Sequence, residues 1–143
     1  MKRKKIKVLF VCTGNSCRSQ IAEGLLRSKA GECFEVYSAG SHPSHVHPMA
    51  IEIMKEKEID ISNHTSDHVD NYLEFGIDVV ITVCDSANQL CPTFPVNVKK
   101  IHWSIEDPFR GWTYEVSQLD SFRKTMEDIE KKITNFIKDS FDN

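Results

Sequence analysis

No stretch of this 143-residue sequence approaches the ~20 consecutive apolar residues that a bilayer crossing requires. The N-terminus also lacks an apolar signal core with a small-residue cleavage site, because its hydrophobic run is short and ends at Cys12. A cytoplasmic protein with no membrane partner is expected. An excess of either charge is missing too. The net charge of −3 argues against nucleic acid as a partner. The basic start Lys2, Arg3, Lys4 and Lys5 is brief and reads as a solvated tail. No repeat, low-complexity segment or Gly/Ser linker divides the chain. With 40% hydrophobic and 27% charged residues it reads as one globular domain over 1–143, long enough to bury a core. No exposed apolar stripe demands a partner, so a monomer is expected. Nor do the cysteines form a disulfide framework. There are five (Cys12, Cys17, Cys33, Cys84, Cys91), an odd and widely spaced set in a compartment expected to be reducing. Reactive thiols are the better expectation.

Apolar runs alternate with helical patterns. Residues 6–12 read as a first strand, followed by a helix from about Ser16 to Ala30 that buries Ile21, Ala22, Leu25 and Leu26. A short strand is expected at Phe34–Ser38. Pro48 opens a second helix, a position proline suits, with Ala50, Ile51 and Met54 inward. Ile77–Val83 is nearly continuous and β-branched, as in a strand covered on both faces. Val96–Trp103 reads as a weaker strand. A closing helix from about Tyr114 to Asp139 places Val116, Leu119, Phe122, Met126, Ile129, Ile133 and Phe136 at intervals of three and four. The alternation predicts an α/β three-layer sandwich: a four-stranded parallel sheet with helices on both faces. Ligands of such sheets bind beyond the carboxyl ends of the strands. Cys12, Cys84 and Asp107 should meet at that rim.

The most informative segment is Cys12-Thr13-Gly14-Asn15-Ser16-Cys17-Arg18-Ser19, directly after the first strand. The strand delivers Cys12 to the sheet edge, and Gly14 and Asn15 tolerate the positive φ of a curled loop. Backbone N–H groups of residues 13–19 then converge on one point, joined by the positive end of the following helix. Arg18 adds a planar fork for two oxygens of a tetrahedral anion. Such a cradle lowers a thiol's pKa, so Cys12 is expected as a thiolate at neutral pH, with Ser19 donating to its sulfur. Cys17 reads as a packing residue or a backup thiol.

Cys84 and Cys91 bracket a small polar segment on a short helix. A disulfide needs Cα atoms within ~7 Å, so pairing them requires that helix to unwind. The plainer reading is two inert, buried thiols. Asp107-Pro108 is a stiffened turn whose carboxyl could act as general acid for a departing oxygen, or simply be a turn aspartate.

Taken together, Cys12–Ser19, Val36-Tyr37-Ser38-Ala39-Gly40, the run Asp60 to Asp67, Cys84 to Pro92 and Asp107-Pro108 resemble the thioredoxin-coupled arsenate reductases. That family is built on the low-molecular-weight protein tyrosine phosphatase fold, and the resemblance spans nearly the whole chain. It implies that Cys12 attacks arsenate held by the loop and Arg18 while Asp107 protonates the leaving oxygen. Cys84 then attacks the Cys12–arsenic adduct, and Cys91 draws the disulfide to Cys84–Cys91, which thioredoxin reduces. Phosphate and sulfate would compete with arsenate. No cofactor is required, although some members bind potassium through residues that match Asn15, Glu23, Ser38 and Asp67, with His64 tuning that site. Phe109-Arg110 departs from the reductase pattern toward the phosphatases, which implies a side activity on aryl phosphates. His42, His45 and His47 match no ligand motif and read as a surface loop, and Cys33 as packing. The alternative is a tyrosine phosphatase whose extra cysteines protect Cys12. A non-catalytic anion-binding module is the third.

Overall fold

A computed structural model describes residues 4–141, excluding the side chains of Ser86, Asn88 and Leu90; Lys2 and Arg3 of the basic start lie outside these residues. Strand β1 (Ile6–Cys12) runs into helix α1 (Arg18–Ala30), then β2 (Phe34–Gly40) and α2 (Pro48–Glu56). Strand β3 (Val79–Thr82), α3 (Asp85–Leu90), β4 (Lys99–His102) and α4 (Leu119–Phe141) complete the chain. All four strands are parallel, in the order β2-β1-β3-β4. The chain leaves β1 toward β2 and later crosses back to place β3 on the other side. This reversal opens a crevice beyond the ends of β1 and β3.

Val8, Leu9, Phe10 and Val11 are all buried. Successive strand residues point to opposite faces, so β1 is covered on both sides and is the centre of the core. Helices α1, α2 and α4 pack against one another, whereas α3 rests on β1 and β3. The amphipathic stripe of α4 buries Leu119, Phe122, Met126, Ile129, Ile133 and Phe136. Arg123 on its outer side reaches Glu56 at 2.7 Å and Asp120 at 2.6 Å. Among the described residues no helix is long and apolar enough to cross a membrane.

Several boundaries differ from those read in the sequence. Helix α1 begins at Arg18, because residues 13–17 are spent on the loop. Strand β2 extends two residues further, to Gly40, whose N–H donates to the Asp67 carbonyl. Strand β4 begins only at Lys99, since a turn closed by Val98 N–H to the Pro95 carbonyl precedes it and leaves Val96 fully exposed. Val116 also faces solvent, in a 3-10 turn ahead of α4.

Gly40 pairs with Cys12 across the β1–β2 ladder. A methyl group there would lie 2.5 Å from the Thr13 carbonyl oxygen and 2.9 Å from both the Asn15 nitrogen and the Cys12 carbonyl oxygen. Those atoms are backbone and cannot yield cheaply. Gly40→Ala is expected to cost about 1–3 kcal/mol in urea unfolding and to weaken phosphate binding measured by calorimetry. Unchanged values in both would show that the loop does not depend on this contact.

Candidate active site

The loop between β1 and α1 is held from outside. The Thr13 carbonyl accepts from His42 N–H, that of Gly14 from Ser44 N–H, and that of Ser16 from His47 N–H. The Asn15 carbonyl accepts from Gln20 Nε2 and Ser66 Oγ. A trans peptide sets its N–H opposite its C=O. Anchoring four carbonyls outward therefore turns the N–H groups of residues 14–17 inward, and the Asn15 N–H meets the Cys12 sulfur at 3.2 Å. Only Asn15 takes the positive φ expected of the loop (48°), whereas Gly14 does not.

Asn15 is fully buried, and each of its side-chain polar atoms has a partner. Its amide donates to Ser19 Oγ at 2.8 Å and Ser38 Oγ at 3.0 Å, and its oxygen accepts from Asp67 N–H at 2.9 Å. Since Ser19 Oγ accepts from Asn15, its own proton is free for the Cys12 sulfur at 2.8 Å.

Burial pushes the Cys12 thiol up. The Ser19 side chain and backbone and the Arg18 charge pull it down, and the neighbouring Cys84 adds to the rise. Burial is the largest of these influences and opposes the thiolate that the donors favour. Cys17 is buried as well and pushed up to about 12, mainly by burial, which suits packing rather than attack.

Cys12, Arg18, Cys84 and Asp107 line one cavity of about 760 Å³. The Arg18 fork is fixed at its mouth, donating from Nη1 to the Ile105 carbonyl at 3.0 Å and pairing through Nη2 with Asp107 Oδ2 at 3.4 Å. The other Asp107 oxygen accepts from Phe109 N–H, a turn that aims the carboxylate inward. Phe109 and Trp112 form an aromatic wall of the same cavity. Cys84 lies beside the loop, its sulfur 3.4 Å from Thr13 Oγ1, and accepts from Ala87 N–H as the cap of α3. Cys91 caps the far end of α3, half-buried and outside the cavity lining. Burial raises its thiol, and the Lys100 charge opposes that rise.

A second polar cluster sits beneath the loop. Ser38 Oγ donates to Glu23 Oε1 at 2.5 Å, and Arg27 Nη2 donates to Glu23 Oε2 at 2.6 Å. Glu23, Ser38, Thr65 and Asp67 face a cavity of about 230 Å³. Two carboxylates against one guanidinium leave roughly one negative charge among oxygen donors, which fits a monovalent cation better than a divalent one. Among the described residues no group of three or more His, Cys, Asp or Glu is placed to hold a metal ion. His64 accepts from Arg27 at Nε2 and therefore donates to Gln20 from Nδ1. Burial lowers its pKa first and Arg27 further, against Glu23 and Asp60.

The histidine run is not simply a surface loop. His47 is fully buried: it caps α2 by accepting from Met49 N–H and donates from Nε2 to the Gly111 carbonyl. It thereby ties the loop that carries Asp107. His45 stacks on Trp112. Cys33 is exposed at the α1–β2 turn rather than packed. The outer anchors His42, Ser44, Ser66 and Gln20 were absent from the sequence reading.

A family model described as low molecular weight phosphotyrosine protein phosphatase matches residues 7–141. The chain belongs to this phosphatase family. It is 48% identical over 133 residues to the arsenate reductase of Staphylococcus xylosus, covering 92% of this chain and 96% of that protein. The low molecular weight protein tyrosine phosphatase of T. tengcongensis superposes with a TM-score of 0.79 at 29% identity, over 94% of this chain and 99% of the other. The thioredoxin-dependent arsenate reductase of Corynebacterium glutamicum gives 0.77 at 29% identity, over 97% of this chain and 63% of the other. Proteins named for either chemistry, arsenate reduction or phosphotyrosine hydrolysis, thus share this fold.

The hydrogen bond from Ser19 favours the Cys12 thiolate over the thiol. Removing it leaves burial less opposed, so ionisation moves to higher pH. For Ser19→Ala, the pH profile of Cys12 alkylation by iodoacetamide should shift in the alkaline direction. A shift toward acid would contradict this assignment of the donor.

Proposed function

We propose that this protein reduces arsenate to arsenite, with two electrons that are relayed through three of its cysteines and leave Cys84 and Cys91 oxidised. The observation that carries the reading is the placement of Cys84 and Cys91 at opposite ends of α3. One sulfur belongs to the oxyanion cavity and the other lies away from it. Hydrolysis of a phosphate ester needs no second thiol. Moving two electrons out of an enclosed site does.

The chemistry follows from this placement. Arsenate has the shape and charge of phosphate, which the inward N–H groups and Arg18 accommodate, and phosphate and sulfate compete for the same donors. The Cys12 proton passes to an arsenate oxygen as the sulfur bonds to arsenic. Asp107 protonates the departing hydroxyl, which leaves as water. Cys84 attacks the Cys12 sulfur, forming S–S and breaking S–As, and its proton returns to Asp107. The electron pair stays on arsenic, and arsenite departs. Cys91 then attacks Cys84, its proton passing to the Cys12 sulfur that is released, and leaves Cys84–Cys91 as the oxidised pair.

Thioredoxin, in the cytoplasm, is the reductant this scheme calls for. The thioredoxin dependence of the C. glutamicum relative supports that choice. A potassium ion held by Asn15, Glu23, Ser38 and Asp67 would offset the carboxylates under the loop. The protein needs no other cofactor in this scheme and works as a monomer.

One observation favours a second activity. Phe109 and Trp112 flank the cavity and offer an aryl group a stacking surface, so hydrolysis of aryl phosphates at the same Cys12 is expected. Cys91→Ser separates the two. Arsenate-dependent NADPH oxidation through thioredoxin and its reductase should fall by at least ~100-fold, while aryl phosphate hydrolysis stays within about twofold. Arsenate turnover that persists in Cys91→Ser would overturn the relay, leaving a phosphatase with protective cysteines.

A further inference from the structure

Helix α3 cannot stay folded if its flanking thiols are to meet. Cys84 and Cys91 are seven positions apart, which in a helix separates their Cα atoms by about 10 Å. A disulfide allows no more than about 7 Å. What holds α3 therefore governs how fast the oxidised pair forms.

Among the described residues, two ties secure its first turn. One is the Cys84 sulfur itself, which accepts from Ala87 N–H at 3.3 Å. The other comes from the neighbouring strand. His102, at the end of β4, reaches Asp85 Oδ1 through Nε2 at 2.9 Å, and its Nδ1 lies 2.8 Å from Thr82 Oγ1 at the end of β3. A carboxylate only accepts, so Nε2 carries a proton. The ring's Nδ1 lies against the Thr82 hydroxyl, which also reaches the Ile101 carbonyl at 3.5 Å. This is a hydroxyl–imidazole–carboxylate chain, but Thr82 is fully buried and cannot reach a substrate, so it is not a nucleophile. The chain's consequence is mechanical: it fastens the first residue of α3 to the ends of β3 and β4.

We propose that the Thr82–His102–Asp85 chain is a latch on the redox segment. In it, His102 and Asp85 act as positioning residues that keep α3 folded while both thiols are reduced and set the rate at which Cys91 reaches Cys84. This rests on the proposed relay for its biological use, though not for its physics. Once Cys84 is bonded to Cys12, its sulfur is a poorer cap for α3. The Asp85–His102 tie is then the restraint that remains on the first turn. Asp85 is largely exposed and His102 partly so, which keeps the tie weak enough to release during turnover.

The test uses the full chain in a Cys12→Ser background, where diamide takes two electrons directly from Cys84 and Cys91, so arsenate chemistry plays no part. Adding His102→Ala or Asp85→Ala should each speed formation of the Cys84–Cys91 disulfide about threefold. The double variant should be no faster than either single one. Amide hydrogen exchange over residues 85–91 should quicken to a similar degree while α4 stays unchanged. His102→Gln, which keeps a donor for Asp85, should restore the slower rate. Rates unchanged by either substitution, or fully additive effects, would overturn the latch. Exchange raised throughout α4 would also overturn it, by showing general destabilisation. Failure here leaves the relay intact, because the Cys91→Ser experiment addresses that separately.

Discussion

The outward anchoring of four consecutive carbonyls, from Thr13 to Ser16, is the constraint on which this site depends. A loop of N–H groups facing one point is unfavourable by itself, since its carbonyls then need partners from outside the loop. Here the acceptors are satisfied from behind, by the 42–47 segment, Gln20 and Ser66. The donors are left to face inward. Gly40 lets the loop backbone sit directly against β2, and the buried Asn15 joins the nucleophile's donor Ser19 to the cluster around Glu23. Anion binding is thus built into the packing of β1, β2 and the segment before α2.

The same enclosure sets the sulfur chemistry. Burial of the Cys12 sulfur opposes its ionisation, while the Ser19 donors and the Arg18 charge favour it. Arg18, at the start of α1, is held both to Asp107 and to the Ile105 carbonyl, so the cation and the carboxyl of the loop after β4 sit side by side. His47 fastens that loop at Gly111 from inside the core. Enclosure also gives the proposed relay its purpose. A disulfide formed at Cys12 would be shut away from a protein reductant, whereas Cys91 lies outside the cavity lining.

Much of this was legible in the sequence, for identifiable reasons. The apolar run of β1 ending in Cys12-Thr13-Gly14-Asn15 marks strand, loop and nucleophile. The three-and-four spacing from Leu119 to Phe136 marks α4. The oxygen set Asn15, Glu23, Ser38 and Asp67 came from resemblance rather than from any periodic signal. The anchors His42, Ser44 and Ser66 left no trace, because a side chain or N–H that meets a distant carbonyl obeys no local spacing. Burial misled in both directions. His47 sits in a run that looks like surface yet fills the core, and Cys33 looks like packing yet is exposed. The Cys12 thiolate was expected from donors alone, since desolvation is a property of the folded pocket and not of eight residues.

The central claim is that oxidation passes from Cys12 through Cys84 to Cys91. Its most direct test is peptide mass spectrometry of the wild-type protein after one equivalent of arsenate, without thioredoxin, with free thiols alkylated on quenching. The account predicts a Cys84–Cys91 bridge with Cys12 alkylated. All five cysteines alkylated, or a bridge that excludes Cys84, would contradict it.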